Sequence, residues 1–340
     1  MTTATPAPAS AADIPARPRS VTVLVIAYRM RDTIAQAITS VAAQTMPCEV
    51  IVSDDSSGDG TLDAAQAAVD ALPAEARARF RVRSTGSNVG LCEHLNELAA
   101  VATGDVLVFQ AGDDIAYPDR VARLVREFEL HDAAMVVGSC VDDIDGNGRL
   151  LAPRVRGLPE VVDQQWFLRR GKLQTILGAS MAVRREVLAS LPPLRGRVED
   201  NMLSLRGALL GECRCIQQPL LGYRRHDHNL NDWMFDRSSR GYQTYERRNR
   251  RVLAMYRDIA DDQQRCLEAL PQMPARRRHL ARQLADMYRL EAEMREVVLD
   301  QPRRNWLGPL ARGLCHPGLR RKSAERALKL LLPRRWFGRG

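Results

Sequence analysis

Hydrophobic and polar residues follow one another along the first part of the chain in a pattern typical of alternating strands and helices. The run VTVLVIA at 21–27 is continuously apolar, as in strands that are covered on both faces. Ile34, Ile38 and Val41 then lie on one stripe of a helix, and a second strand is expected at 49–53. This segment therefore predicts a βαβ unit.

The alternation continues as far as residue 139. The further elements that we expect are helices at 61–71, at 91–102 and from 118 onward, and strands at 80–84, 106–110 and 135–139. Strands that alternate with helices across short loops favour a parallel sheet. The predicted fold class is α/β, with a Rossmann-like, mostly parallel sheet and helices on both faces.

The pattern is looser after residue 141. The sequence DGNG at 145–148 indicates a hairpin turn, and a helix is expected to begin at Glu199. Two short strands, at 213–216 and 220–225, are expected to complete the sheet. Beyond Gly241 the chain is expected to be helical and rich in arginine.

Composition and charge divide the chain into regions. With 340 residues, of which 45% are hydrophobic and 27% charged, the chain can form a full core. The net charge of +9 is concentrated in 302–340, where eleven Lys or Arg and one Glu give +10 and leave −1 for the rest. We expect a disordered segment at 1–19, a globular domain at 20–240, and a helical region at 241–340 that ends in this basic tail.

The basic tail at 302–340 interleaves its cations with leucines, tryptophans and a phenylalanine. One interpretation is an amphipathic helix lying in a membrane interface. The alternative is a helix packed on its own domain with a solvated arginine face. Nucleic acid is not expected as a partner, because the aromatic residues sit in apolar clusters and no recognition motif is present.

Cysteine usage and hydropathy favour a cytoplasmic location. The basic tail is the candidate for peripheral contact with the inner face of the cell membrane. The seven cysteines are scattered without zinc-site or redox spacing, as is typical of a reducing compartment. No segment approaches the roughly 20 uninterrupted apolar residues that span a bilayer. Four histidines, His94, His131, His279 and His316, are expected at the surface.

Three acidic pairs carry the candidate chemistry: Asp54-Asp55, Asp113-Asp114 and Glu199-Asp200. The first two follow apolar runs, so they are expected at the carboxyl ends of buried strands, where open α/β sheets bind ligands. A single Asp-Asp pair is commonly a turn or a helix cap. Two pairs at equivalent positions instead favour a crevice that holds a divalent metal and a phosphorylated ligand.

Several motifs in this order resemble the inverting glycosyltransferases of family 2, which have the nucleotide-sugar-binding GT-A fold. The matching segments are VLVIAY at 23–28, SVAAQT at 40–45, VIVSDDSSGDGT at 50–61, NVG at 88–90 with Asn96, GDVLVF at 104–109 and GDDIAYPDR at 112–120. The resemblance spans about 21–231 and implies that 20–240 is the catalytic domain. The specificity of this resemblance comes from the order and spacing of the motifs.

The resemblance implies a nucleotide site formed by Ala27, Tyr28, Asp54, Asp55, Asn88, Gly90 and Gly112. In this assignment Tyr28 stacks on the base, Asp55 hydrogen-bonds the base edge and Asp54 supports the turn. Asn88 lies along the nucleoside.

The resemblance also implies a Mg²⁺ or Mn²⁺ site. Asp113 takes the place of the metal-binding residue that ends the family's Asp-x-Asp motif, and Ala111 stands at the first Asp. Asp114 and His226 are the candidates to complete the coordination. The metal would neutralise charge on the diphosphate as its bond to the sugar breaks.

The catalytic base implied by the resemblance is Asp200, with Glu199 beside it in the sequence VEDN at 198–201. The same pair could instead favour a helix N-terminus. Ser180, in GASMA at 178–182, matches the strand that lies against the donor sugar. Arg224, His226 and Asn229 match a basic element that stabilises the departing diphosphate.

The expected function is transfer of a sugar from a nucleoside diphosphate donor to a glycan or lipid-linked glycan, in bacterial lipopolysaccharide or exopolysaccharide assembly. One alternative is nucleotidyl transfer, which the glycine-free loop YRMRD at 28–32 disfavours. The other is a nucleotide-sugar-binding module without catalysis.

Overall fold

A mixed sheet organises the chain up to residue 225 in the computed structural model, which describes residues 20–155, 157–171, 173–225, 241–333 and 336–337. The segment 1–19, expected to be disordered, lies outside the described residues. The ten strands are β1 (Val21–Ala27), β2 (Glu49–Asp54), β3 (Phe80–Ser84), β4 (Val106–Ala111), β5 (Ile115–Ala116), β6 (Ala134–Ile144), β7 (Leu150–Val155), β8 (Val161–Val162), β9 (Ala182–Arg184) and β10 (Glu212–Arg224).

The strand order is β3-β2-β1-β4-β9-β6-β10-β5, with β7 beside β6 and β8 beside β10. Strands β3, β2, β1 and β4 are mutually parallel, as are β6 and β10. Strand β9 is antiparallel to both β4 and β6 and joins the two parallel groups. The α/β class and the mostly parallel core of the sheet are confirmed.

Helices connect these strands and, among the described residues, continue as far as Leu328. They are α1 (Ile34–Ala42), α2 (Thr61–Asp70), α3 (Ala74–Arg77), α4 (Leu91–Val101), α5 (Arg120–Leu130), α6 (Gln164–Arg170), α7 (Glu186–Ala189), α8 (Glu199–Leu210), α9 (Tyr242–Ala269), α10 (Ala275–Asp300), α11 (Leu307–Cys315) and α12 (Arg320–Leu328). The periodic positions Ile34, Ile38 and Val41 are all buried. Strand β1 is buried along nearly its whole length, which explains its unbroken apolar run.

Strand β10 differs from the prediction of two short strands. It is one strand that runs parallel to β6, with register shifts between Ile216 and Pro219 and between Pro219 and Gly222. Proline has no amide hydrogen to donate to a neighbouring strand, so it interrupts the pairing and makes the sequence look divided. The hairpin turn is confirmed, since the amide of Asp145 donates to the carbonyl oxygen of Arg149.

The described chain separates into two compact units. The first comprises the residues up to 162, 175–195 and 199–225, and contains the sheet. The second comprises 163–174, 196–198 and the described residues from 241 onward.

Within the second unit, α9 and α10 form an antiparallel hairpin. Arg250 pairs with Asp300 at 2.8 Å and Arg257 with Glu296 at 2.6 Å, so the start of α9 lies beside the end of α10. In the parts of the chain that the structure describes, no helix has the length and apolar character needed to cross a bilayer.

Candidate active site at the carboxyl ends of the strands

Strand register brings the first two acidic pairs to one edge of the sheet. Ala27 lies opposite Asp54 between β1 and β2, and Asp54 lies opposite Ser84 on β3. On the other side of β1, Ile26 lies opposite Ala111 at the end of β4. These are the carboxyl ends of four adjacent parallel strands, the position at which such sheets bind ligands.

Tyr28 follows β1 directly and is 40% exposed at this edge. Its neighbour Arg29 has φ of 58°, a left-handed conformation that costs energy for a residue with a long side chain. The Arg29 amide donates to the hydroxyl of Ser57 at 2.7 Å, and the Ser57 amide donates to the Asp54 carboxylate at 2.9 Å. Asp54 therefore joins the two loops that follow β1 and β2.

The Asp55 carboxylate holds the loop that follows β3. It accepts hydrogen bonds of 2.9 Å from the amides of Val89 and Gly90 and from the hydroxyl of Thr85. Gly90 has φ of 81°, which explains the glycine at this position. The Asn88 side chain donates to the Asp55 carbonyl oxygen at 3.4 Å. Since a carboxylate offers about four acceptor sites, Asp55 retains one beyond these three bonds.

Gly112 lies where the loop after β4 approaches α1. A Cβ added here would lie 2.8 Å from Ile34 Cδ1 and 3.2 Å from Ala27 Cβ, so only glycine fits without displacement. The Gly112 amide donates to the Ile26 carbonyl oxygen at 2.9 Å, and its own carbonyl accepts from Thr33. The position of the next two residues is thus set by close backbone packing.

The two carboxyls of Asp113 and Asp114 are unequal. Asp114 is buried, and its Oδ1 accepts from the Arg224 amide at 2.8 Å. Burial, followed by the charge of Asp113, raises the pKa of Asp114 well above its usual range. The Arg224 guanidinium is also buried, and it donates to the Asp113 carbonyl oxygen at 2.6 Å and to Gln36 at 2.7 Å. In this structure Arg224 orders the backbone of the acidic loop.

A second buried arginine, Arg120, was not identified from the sequence. It donates to the side chain of Gln110 at 2.9 Å, to the carbonyl oxygen of Phe109 at 2.7 Å and to that of Ala179 at 2.8 Å. Gln110 in turn donates to the Asp114 carbonyl oxygen at 3.0 Å. These bonds connect the loop of Asp113 and Asp114 with the turn at 178–180.

The turn at 178–180 packs against the third acidic pair at the start of α8. A Cβ on Gly178 would lie 2.6 Å from Glu199 Oε1 and 3.5 Å from Asp200 Cβ. Burial and the charge of Asp200 raise the pKa of Glu199 to about 8. Ser180 is fully buried, and its hydroxyl donates to the Leu177 carbonyl oxygen at 3.0 Å. Two of the site's acidic pairs, the second and third, are thus connected through Arg120 and Gly178.

His94 corrects the expectation of a surface residue. It is buried on α4, and its Nε2 lies 2.6 Å from the hydroxyl of Ser53, the residue before Asp54. Burial lowers the pKa of His94. The sequence contained a signal, because Leu91, Leu95 and Leu98 mark the inner stripe of this helix and residue 94 lies on it.

The candidate metal-binding carboxylates suit a metal ion that a phosphorylated ligand also coordinates. Among the described residues, no group of three or more His, Cys, Asp or Glu is arranged to hold a metal ion. Asp113 is 7% exposed and Asp114 is 1% exposed, and Asp114 Oδ1 accepts from the Arg224 amide. Mg²⁺ is commonly held by one or two carboxylates together with substrate phosphates, and Asp113 meets that requirement. His226, the other predicted metal ligand, and Asn229, which was predicted at the diphosphate, lie outside the described residues.

Comparison with known proteins decides the family. Residues 22–191 match the family model described as glycosyl transferase family 2. The chain belongs to this family. It has the GT-A fold, as the motifs predicted, and its curated relatives include proteins of succinoglycan biosynthesis.

Two curated relatives and one solved structure illustrate the likeness. An uncharacterized glycosyltransferase of Nostoc is 28% identical over 62% of this chain and 66% of its own length. The succinoglycan biosynthesis protein ExoO of Rhizobium meliloti is 33% identical over 61% of this chain and 60% of its own. The mannosyltransferase PcManGT of Pyrobaculum calidifontis, in complex with GDP-Man and Mn²⁺, matches with a TM-score of 0.52 and 20% identity over 94% of this chain and 82% of its own. The chain thus spans about half to two thirds of the length of the curated relatives that it matches.

Proposed function

We propose that this glycosyltransferase moves a sugar from a nucleoside diphosphate donor to a glycan or lipid-linked glycan acceptor, with inversion at the anomeric carbon. The observation that carries the proposal is the connection from Asp114 through Gln110 and Arg120 to Ala179, which adjoins the Gly178 contact with Glu199. It joins the loop that would hold the diphosphate to the pair that would activate the acceptor.

In the proposed reaction Asp200 is the general base. The acceptor hydroxyl oxygen forms a bond to the anomeric carbon as the bond from that carbon to the diphosphate oxygen breaks, and the hydroxyl proton passes to Asp200. Because its pKa is raised to about 8, Glu199 holds a proton at neutral pH. A protonated Glu199 would limit the negative charge beside Asp200.

The nucleotide is proposed to lie along the edge formed by Tyr28, Asp55 and Asn88. Tyr28 offers an exposed ring on which a base can stack, and the remaining acceptor site of Asp55 suits an N–H on the base edge. Asp113 would hold Mg²⁺ or Mn²⁺, which when bound offsets charge on the diphosphate. Asp114 and Arg224 support that loop from within, and we propose this role for them in place of direct contact with the ligand.

The biological role that we propose is assembly of a bacterial cell-surface polysaccharide, either lipopolysaccharide or exopolysaccharide, on the cytoplasmic side of the membrane. The name of the relative ExoO, a succinoglycan biosynthesis protein, supports the exopolysaccharide class. The donor of the structural neighbour PcManGT, GDP-Man, supports a nucleoside diphosphate sugar.

The decisive experiment measures turnover of a panel of UDP-, GDP- and dTDP-sugars by the intact chain and by Asp200→Asn. Transfer or hydrolysis should fall by about 100-fold or more in the variant, while the rise in melting temperature on adding donor with Mn²⁺ persists. Asp286→Asn, which removes a carboxylate with 72% exposure, is the matched control and should retain full activity.

Other outcomes would reject the assignment. Undiminished turnover by Asp200→Asn excludes Asp200 as the base. Consumption of a nucleoside triphosphate with release of pyrophosphate would identify a nucleotidyltransferase, and donor binding without turnover by the intact chain would identify a binding module.

A further inference from the structure

Helix α11 is apolar on both of its faces. Leu310 and Gly313 are buried on its inner side. Leu307 and Leu314 are seven residues apart, so they share the outer side, where they are 62% and 42% exposed. Arg312 is its one charged residue. A surface helix usually places polar residues outward, so the outer leucines require another explanation.

The tail around α11 is fixed by buried contacts within the second unit. Trp306 is fully buried just before α11. On α12, Arg326 makes two hydrogen bonds, of 2.8 and 2.7 Å, to the buried carboxylate of Glu291 on α10. Phe337 is buried against the ring of Tyr245 on α9, with 5.5 Å between ring centroids. One apolar side of the tail is thus already occupied, and the outer leucines form a separate set.

The exposed apolar set extends beyond α11. Together with Leu307 and Leu314 we define the tail surface by its further exposed members Leu328, Leu331, Leu332 and Trp336. The Arg303 guanidinium donates to the carbonyl oxygen of Leu332, which places the two ends of this surface side by side. Leu331 is 82% exposed, far more than a side chain with a packing role.

Cations border the tail surface. Arg303 and Arg304 precede α11, and Arg320 and Arg321 begin α12, all exposed. The acidic side chain of the tail, Glu325, pairs with Arg321 at 3.0 Å. Exposed leucine and tryptophan flanked by arginine match the chemistry of an anionic bilayer, in which apolar groups enter the interface and cations meet the headgroups.

We propose that the tail surface docks this glycosyltransferase on an anionic lipid bilayer. A second copy of the chain fits less well, because each tail carries a charge of +10 and two tails would repel one another. The inference goes beyond the proposed function, since it depends on the second unit and not on the donor site. It explains why the buried contacts of the tail hold one apolar face and leave another exposed.

The test is sedimentation of the intact chain with vesicles of phosphatidylcholine, alone or with about one third phosphatidylglycerol. Binding should require the anionic lipid and weaken with salt. The double variant Leu307→Gln/Leu314→Gln should bind about tenfold more weakly. Leu130→Gln/Leu151→Gln, which changes two similarly exposed leucines outside the tail, should bind as the unmodified chain does.

Charge is tested separately. Arg304→Gln/Arg320→Gln should weaken vesicle binding about tenfold or more. The control, Arg276→Gln/Arg282→Gln, removes the same charge from exposed positions of α10 and should leave binding unchanged. Equal binding to neutral and anionic vesicles, or tail variants that bind as the unmodified chain does, would overturn the proposal. A different result would also overturn it: light scattering shows a dimer of the unmodified chain, and Leu307→Gln/Leu314→Gln abolishes the dimer but still binds the vesicles. Turnover of a soluble donor should be unchanged in all four variants, which separates loss of docking from loss of catalysis.

Discussion

The Arg120 guanidinium donates a 2.8 Å hydrogen bond to the carbonyl oxygen of Ala179. The two residues are 59 positions apart in the chain, and their bond is partly buried beside the acidic loop that follows β4. Arginine carries five donors and is almost never buried without several partners. We interpret Arg120 as the residue that keeps the loop of Asp113 and the turn before Glu199 in fixed relation.

Replacing Arg120 should therefore affect both stability and activity. In Arg120→Met the carbonyl oxygens of Phe109 and Ala179 lose their buried donor, at about 1–3 kcal/mol for each unsatisfied group. Chemical denaturation should show a loss of roughly 3 kcal/mol in the free energy of unfolding, with lower donor turnover. Arg126→Met is the control on the same helix, where the side chain is 65% exposed. It should change the free energy of unfolding by less than about 0.5 kcal/mol. Equal losses in the two variants would refute the role of Arg120.

Gly178→Ala should impair catalysis more than donor binding. The added Cβ would lie 2.6 Å from Glu199 Oε1, so the Glu199 carboxylate beside Asp200 must shift. A displacement of this kind should reduce kcat about tenfold or more, because general-base catalysis depends on position. The control is Gly86→Ala, whose Cβ would meet no heavy atom within 4 Å. A reduced kcat in both variants, or in neither, would contradict the packing argument.

His94 should make stability depend on pH below its ordinary pKa of 6.5. Burial lowers the pKa of His94 in the fold, so the unfolded chain takes up the proton first, and stability is lost as the pH falls from 6.5 towards the lowered value. Asp55, Arg83, Glu97 and Asp54 are the charged groups that act on this ring.

The measurement compares unfolding of the native chain and His94→Gln in urea at about pH 7.5 and about pH 5.5. The variant can still hydrogen-bond Ser53 but does not titrate. The native chain should lose roughly 1 kcal/mol more than the variant between these two conditions. Identical pH dependence in both proteins would show that His94 is not the titrating group.

Glu291→Gln should destabilise the second unit strongly. The fully buried carboxylate pairs with Arg326 at 2.7 Å, Arg295 at 3.2 Å and Lys322 at 3.3 Å, and the hydrogen bonds and charges of these partners lower its pKa to about 2 despite burial. Removing its charge leaves the buried Arg326 without its charged partner, at about 3–5 kcal/mol. Glu293→Gln, two residues away, breaks only the exposed pair with Arg312 and should cost at most about 1 kcal/mol. Thermal unfolding of both variants measures the difference, and similar melting temperatures would refute it.

Local sequence patterns determined much of the fold. The apolar run of β1 and the stripe of α1 depend on residues close in the chain, so each could be interpreted alone. The position of the first two acidic pairs could also be predicted from the sequence, because the carboxyl ends of parallel strands share one edge of the sheet. The order of the motifs was sufficient to indicate the family.

Only the tertiary structure decided which side chains hold the site together. That β9 would enter the sheet antiparallel, that β10 would continue through Pro219, and that Arg120, Arg224 and His94 would be buried all depend on contacts between distant segments. Such contacts leave little periodic signal, because a buried arginine or histidine is tolerated only where far-off carbonyl or hydroxyl groups happen to meet it. The sequence by itself placed the acidic residues at the edge of the sheet, and long-range hydrogen bonding determined how each of them is held.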